Sequence, residues 1–125
     1  MEAGCAIIAG MAGQDGSYLA EYLLSKNYTV FGLVRRSSNM SNLDRIPQWV
    51  KDNKNVEIVY GDVTDITSIQ RVLNKAANAT KHIIEFYNLA AQSHVKVSFD
   101  VPIFTAEVDG MGTLNILESI FATNA

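Results

Sequence analysis

The run Gly4 to Ala9 (Gly-Cys-Ala-Ile-Ile-Ala) is short, continuous and apolar, and it breaks into Gly10-Met11-Ala12-Gly13-Gln14-Asp15-Gly16. Such a run suits a strand covered on both faces. Ser17 to Lys26 then sets Leu19, Tyr22 and Leu23 at helical spacing, with the polar Asn27 as a stop. A strand, a glycine-spaced turn and a helix in that order leave few folds open. Glycines remove side chains where an anion must approach the backbone, and the helix start offers N–H groups and the positive end of its dipole. The spacing, G-x-x-G-x-x-G, is a shifted variant of the dinucleotide fingerprint G-x-G-x-x-G. In this setting the turn reads as a phosphate site rather than a plain tight turn.

The alternation continues along the chain. Thr29 to Val34 reads as a second strand, and Arg35 to Asn42 is polar and irregular. Leu43 to Val50 suits a short helix anchored by Ile46 and Trp49. Val56 to Tyr60 is a third strand, rich in β-branched residues and closed by Gly61-Asp62. Asp65 caps a helix whose face is Ile66, Ile69, Val72, Leu73 and Ala76. His82 to Asn88 is a fourth strand. Val101 to Thr123 returns to helical periodicity through Phe104, Val108, Met111, Leu114, Leu117 and Phe121. Strands alternating with helices argue for parallel βαβ units with right-handed crossovers. The fold expected is α/β, a Rossmann-like doubly wound parallel sheet. A complete one uses about six strands, so the first four strands and their crossover helices make it incomplete.

Composition narrows the function classes. The 125 residues match one domain, and 48% apolar with 18% charged suits a packed core. No apolar run approaches the roughly 20 residues of a membrane span, and no secretion signal opens the chain. A net charge of −3 provides no overall positive field for nucleic acid, so any anion site is local. One cysteine and two distant histidines make neither a disulfide nor a zinc site, so no metal is expected and the default compartment is cytoplasmic.

The end of the second strand selects the nucleotide. An acidic residue there would accept from the ribose hydroxyls of NAD, but the chain reads Val34-Arg35-Arg36-Ser37-Ser38. Guanidinium forks and hydroxyls suit a 2′-phosphate, which favours NADP. Asp62 ends the third strand, where its carboxylate suits the adenine amino group while Val63 packs beside the ring.

Several stretches together resemble the GDP-mannose 4,6-dehydratases of the extended short-chain dehydrogenase/reductase superfamily. They are Gly13 to Leu19, Gly32 to Ser38, Gly61 to Asp65, Asn88 to Phe99 and Thr105 to Gly110. The resemblance covers nearly the whole chain, and the Arg-Arg-Ser-Ser and Ala-Gln-Ser-His-Val stretches are its most particular parts. It implies a lyase of GDP-fucose biosynthesis that acts on GDP-mannose with retained NADP. Hydride leaves C4, water is eliminated across C5 and C6, and hydride returns to C6, giving GDP-4-keto-6-deoxymannose. Carried over by position, Gly10, Ala12, Gly13, Gln14, Asp15 and Gly16 hold the pyrophosphate. Arg35, Arg36, Ser37 and Ser38 hold the 2′-phosphate, Asp62 and Val63 meet adenine, and Leu89, Ala90, Ala91 and Ser93 line the nicotinamide side. Phe104 stands where relatives often carry a cofactor-contacting Tyr. Ala9, Met11 and Ala12 also depart from the usual residues without touching the glycines. The Arg35 to Ser38 loop reaches a neighbouring subunit in relatives, which implies a homo-oligomer.

The chemistry of the superfamily requires a Tyr-x-x-x-Lys pair, in which lysine lowers the tyrosine pKa. Only Tyr22 to Lys26 fits, and it lies on the first helix, where that spacing arises from helix geometry alone. Residues 1–125 are therefore expected to be the N-terminal part of the NADP-binding domain, inactive alone and without catalytic residues. The true pair and the sugar-binding portion would lie after Ala125. A non-enzymatic NADP-binding module, and a dehydratase or epimerase for another nucleotide sugar, remain as alternatives. His94 suits either loop organisation or substrate contact. Glu85 reads as an edge or sheet-end residue, Cys5 as core, and His82 as lying at the wrong end of the sheet for chemistry. The stripe from Phe104 to Phe121 reads as core against the sheet, with part exposed if no further chain covers it.

Overall fold

All six residues of β1 (Gly4–Ala9) are buried, as a strand covered on both faces demands. The computed structural model of the chain describes residues 2–35, 46–81, 83–90 and 112–123. After β1 come α1 (Gln14–Ser25), β2 (Tyr28–Val34), α2 (Gln48–Lys51), β3 (Val56–Tyr60), α3 (Ile66–Ala79), β4 (Ile84–Asn88) and α4 (Gly112–Thr123). The strands form one parallel sheet in the order β3-β2-β1-β4. Gly4 stands opposite Tyr28, Val30 opposite Val56, and Cys5 opposite Ile84.

The two-residue period of the strands sorts side chains between two cores. Ala6, Ile8, Val30 and Val34 face Ala20 and Leu23 of α1 and Val50 of α2. Cys5, Ile7, Phe31 and Leu33 face Ile69, Val72 and Leu73 of α3 and Ile116 of α4. This is the doubly wound α/β arrangement that the alternation of the sequence implies. The chain steps from β1 outward to β2 and β3, then returns through α3 to place β4 on the other side of β1. Strand order reverses there, and ligands of such sheets bind in the crevice at the carboxyl ends of the strands. No described helix is long and apolar enough to cross a membrane.

Several boundaries and faces differ from expectation. α1 starts at Gln14 rather than Ser17, because the Ser17 N–H donates to Gly13 O at 2.9 Å and draws residues 14–16 into the first turn. It ends as expected, with Asn27 in the left-handed region at φ 66°. Tyr22 of α1 and Trp49 of α2 are exposed, while Leu23 and Ile46 anchor as expected and are joined by Val50. β4 begins at Ile84, and Ile83 before it is exposed. Asp65 caps α3 as expected by accepting from the Thr67 N–H at 3.0 Å, but Ile66 faces outward. Among the described side chains of α4, Ile116 and Ser119 are buried, whereas Leu114 and Leu117 face solvent. The helix docks beside α3, with the Asn115 side-chain amide donating to Val63 O at 3.1 Å, and that orientation turns both leucines away from the core.

Candidate functional site

The carboxyl ends of the strands are held level by backbone hydrogen bonds. Gly10 N–H donates to Leu33 O at 3.0 Å, Gly61 N–H to Val34 O at 3.0 Å and Leu89 N–H to Ala9 O at 2.9 Å. The turn leaving β1 therefore abuts the segment leaving β4, at the point where strand order reverses. Gly10 has φ +85°, and a Cβ there would stand 2.8 Å from Leu89 O. At Gly16 a Cβ would fall 2.2 Å from Gly10 O and 2.7 Å from Met11 Cα, so only a bare backbone lets the first turn of α1 lie against the glycine turn. Met11 is fully buried and packs against Gly32 of β2, where a Cβ would meet its Sδ at 2.3 Å.

The starts of α1 and α3 differ. α3 opens under Asp65, which accepts from the Thr67 N–H and from Ser68 Oγ at 3.2 Å. α1 opens at Gly13, which is extended and has no side chain to accept a hydrogen bond. The first N–H groups of a helix lack intrahelical partners, and at α1 the N-cap residue, Gly13, has no side chain to cap them. Glycines at 10, 13 and 16, a glycine at the helix start and a positive dipole end are features that could hold a pyrophosphate through the N–H groups of Ala12, Gln14, Asp15 and Gly16, the Gly13 N–H being committed to Gly10 O at 3.1 Å.

Arg35 and Asp62 stand at the neighbouring strand ends. Arg35 Nε lies 3.9 Å from Asp62 Oδ2, with side-chain exposures of 59% and 30%. A solvated pair at that distance contributes at most about 1 kcal/mol, so it biases the guanidinium toward the rim without locking it. Asp62 Oδ1 accepts from the Thr64 N–H at 3.1 Å, which fixes the turn after β3. Val63 is buried in the core beneath α3 and α4, where its side chain packs on protein. Leu89 is exposed, and Ala90 is partly buried, its N–H donating to Asn88 Oδ1 at 3.3 Å. The expected contacts at Arg36, Ser37, Ser38, Ala91, Ser93 and Phe104 lie outside the described residues, as do His82, Gln92 and His94.

Gly32, Ser17 and Asn88 support this rim; all three lie inside the family-like stretches, which assign them no role. A glycine inside an apolar strand signals close approach of another group, which is the one cue that marks Gly32. Asn88 binds both ways, accepting from Ala90 and donating to Thr113 Oγ1 at 3.3 Å, and so ties β4 to α4.

The remaining candidates resolve as structure. Lys26 Nζ lies 5.5 Å from the Tyr22 ring centroid, a surface cation–π contact. It sits at the far end of α1 from the glycine turn, as expected of a fortuitous pair. Burial first, then Glu2 and Glu85, push the Cys5 thiol up to about 11, which leaves it an inert core residue. Glu85 lies on the edge strand β4 and accepts from the hydroxyls of Tyr28 and Tyr87.

Residues 7–125 match the family model described as GDP-mannose 4,6 dehydratase. The chain belongs to the GDP-mannose 4,6-dehydratase family. It is 48% identical over 120 residues to the GDP-mannose 4,6 dehydratase of Cricetulus griseus, covering 92% of this chain and 31% of that one. It is 49% identical over 118 residues to the Vibrio cholerae enzyme, covering 92% and 30%. The chain thus spans about 31% of the length of the curated relatives it matches. Among solved structures, UDP-glucose 4-epimerase of Thermus thermophilus in complex with NAD superposes with TM-score 0.71 and 28% identity, over 92% of this chain and 33% of that one. An epimerase from Methanothermobacter thermautotrophicus superposes with TM-score 0.76 and 29% identity, over 94% and 32%. Family membership agrees with the glycine turn and the Arg35 stretch, and the superpositions agree with the doubly wound sheet.

Proposed function

We propose that residues 1–125 form the N-terminal part of the NADP-binding domain of a GDP-mannose 4,6-dehydratase. The observation that carries this reading is the turn from Gly10 to Gly16, with glycines at 10, 13 and 16. It leads into a helix whose N-cap is the glycine Gly13, beside β4, in a chain of this family. When bound, the nicotinamide group supplies the hydride acceptor and donor for oxidation at C4 and reduction at C6 of the mannose. The turn N–H groups hold the pyrophosphate, Asp62 accepts from adenine, and Leu89 and Ala90 flank the nicotinamide side. NADP rather than NAD is the cofactor because Arg35, not a carboxylate, follows β2. No residue of the 125 is assigned to catalysis. The base, the lysine beside it and the sugar-binding groups belong to the remainder of the longer protein, so this chain alone binds cofactor without turning over GDP-mannose. The full enzyme is read as a cytoplasmic homo-oligomer whose Arg35 to Ser38 loop meets a neighbouring subunit.

Calorimetric titration of the chain with NADP and with NAD tests the reading. NADP is expected to bind more tightly, and Arg35→Glu to weaken NADP by about tenfold or more while hardly changing NAD, since a charge-assisted hydrogen bond contributes about 1.5–3 kcal/mol. Equal losses would reject a 2′-phosphate role, and no binding of either nucleotide would reject the cofactor assignment. Dehydration of GDP-mannose by the isolated chain would overturn the assignment of catalysis to the remainder.

A further inference from the structure

Ser17 is polar, follows the last glycine of the turn and is only 4% exposed. Its hydroxyl points back beneath the turn, with Oγ 2.8 Å from Gly13 O and 3.2 Å from Met11 O. Gly13 O also receives the Ser17 N–H at 2.9 Å, so that carbonyl is held twice. The single hydroxyl hydrogen is shared between the two carbonyls, and among the hydrogen bonds described for the turn Met11 O receives no other.

From this arrangement we infer that Ser17 is a positioning residue for the pyrophosphate, acting through the peptide between Met11 and Ala12; the inference rests on the cofactor reading above. A trans peptide directs its C=O and N–H in opposite senses. Drawing Met11 C=O down toward Ser17 therefore turns the Ala12 N–H up, away from the core and toward the rim. Holding Gly13 C=O does the same for the Gln14 N–H. Turning the Met11–Ala12 peptide plane over needs changes only in ψ of Met11 and φ of Ala12, and a rotated plane would present a carbonyl oxygen to the phosphate in place of a donor. The Met11 side chain is wedged against Gly32, so its Cα is fixed and the peptide plane is the freedom left to control. Ser17 removes that freedom before the ligand arrives.

The test separates aiming from folding. NADP and adenosine 2′-monophosphate share the 2′-phosphate, but only NADP carries a pyrophosphate. In Ser17→Ala the affinity for NADP is expected to fall at least about fivefold while that for adenosine 2′-monophosphate is unchanged. Parallel losses for both ligands, as a merely structural role would produce, or no loss for either, overturn the inference. A wild-type chain that binds neither ligand overturns the cofactor reading and this inference with it. Wild-type binding unaltered in Ser17→Ala overturns the inference alone. A measurement on the wild-type chain needs no variant to fold: with inorganic pyrophosphate, the backbone amide resonances of Ala12 and Gln14 are expected to shift most within the turn. Shifts that spare Ala12 overturn the inference.

Discussion

The hydroxyl of Tyr28 donates to Glu85 Oε2 at 2.7 Å and so joins the first residue of β2 to the edge strand β4 across the whole of β1. Tyr87 donates to the other carboxylate oxygen. One ionised carboxylate is thereby held by two neutral phenols. The hydrogen bonds from Tyr87 and Tyr28 lower the Glu85 pKa from its ordinary value, and the Glu85 carboxylate raises Tyr28 and pushes Tyr87 up to about 12.

This cluster sets a pH window for stability. Glu85 has a folded pKa below its unfolded one, so its contribution is complete above pH 4.5, the ordinary value. It is lost as pH falls through the folded pKa. Tyr87 has a folded pKa above its unfolded one, so its contribution is complete below pH 10 and lost as pH rises toward about 12. Glu85→Gln is expected to cost about 1 kcal/mol near neutrality, with the difference from wild type narrowing at both extremes. Urea midpoints across pH would show this, and curves that stay parallel throughout would contradict it.

Gly4 makes the Tyr28 bridge possible. A Cβ at Gly4 would lie 2.7 Å from both Cε2 and Cζ of the Tyr28 ring, which crosses the strand directly above it. Gly4→Ala is expected to displace the ring, break the bond to Glu85 and cost about 1–3 kcal/mol. In a background of Tyr28→Leu the same substitution should cost much less, because the two changes share one contact. Denaturant midpoints for the four proteins of the cycle measure the coupling, and simple additivity would refute it.

The strands and the glycine turn are legible in the sequence because both follow from local chemistry. An apolar run of six residues has no partner but the interior, and Gly10 to Gly16 excludes side chains at a fixed spacing. Faces of helices are less legible. Leu114, Leu117 and Trp49 are apolar at helical spacing, yet the chain presents Ile116 and Val50 to the core instead, with Ile46 buried as expected. That choice is made by tertiary contacts such as Asn115 on Val63 O, which no local pattern encodes. Ser17 is illegible for the same reason, since a serine after a glycine is ordinary until its hydroxyl is seen under two carbonyls.

Gly16 gives a sign test of the turn. In an exposed helix Gly→Ala gains about 1 kcal/mol, but at Gly16 the new Cβ would meet rigid backbone at 2.2 Å. Gly16→Ala is therefore expected to destabilise the chain and abolish dinucleotide binding. Gly13→Ala is the control: its Cβ would meet Gly10 O at an ordinary 3.4 Å, so stability should change by no more than about 0.5 kcal/mol while binding weakens through loss of close approach. Thermal unfolding paired with NADP titration distinguishes the two positions, and a stabilised Gly16→Ala would disprove the packing argument.

On α4 adjacent residues separate folding from association. Ile116 is 4% exposed and sits in the core with Ile69 and Val72, whereas Leu117 is 60% exposed. Ile116→Ala should cost about 2–4 kcal/mol, the transfer and cavity terms of a buried aliphatic side chain. Leu114→Ser with Leu117→Ser removes exposed apolar surface, so stability should move little, apart from serine's slightly lower helix propensity. The exposed leucines nevertheless offer an apolar stripe to any second surface, and sedimentation velocity over a range of concentrations should show weaker self-association in the double variant. Loss of cooperative unfolding in the double variant would mean that the leucines are core after all.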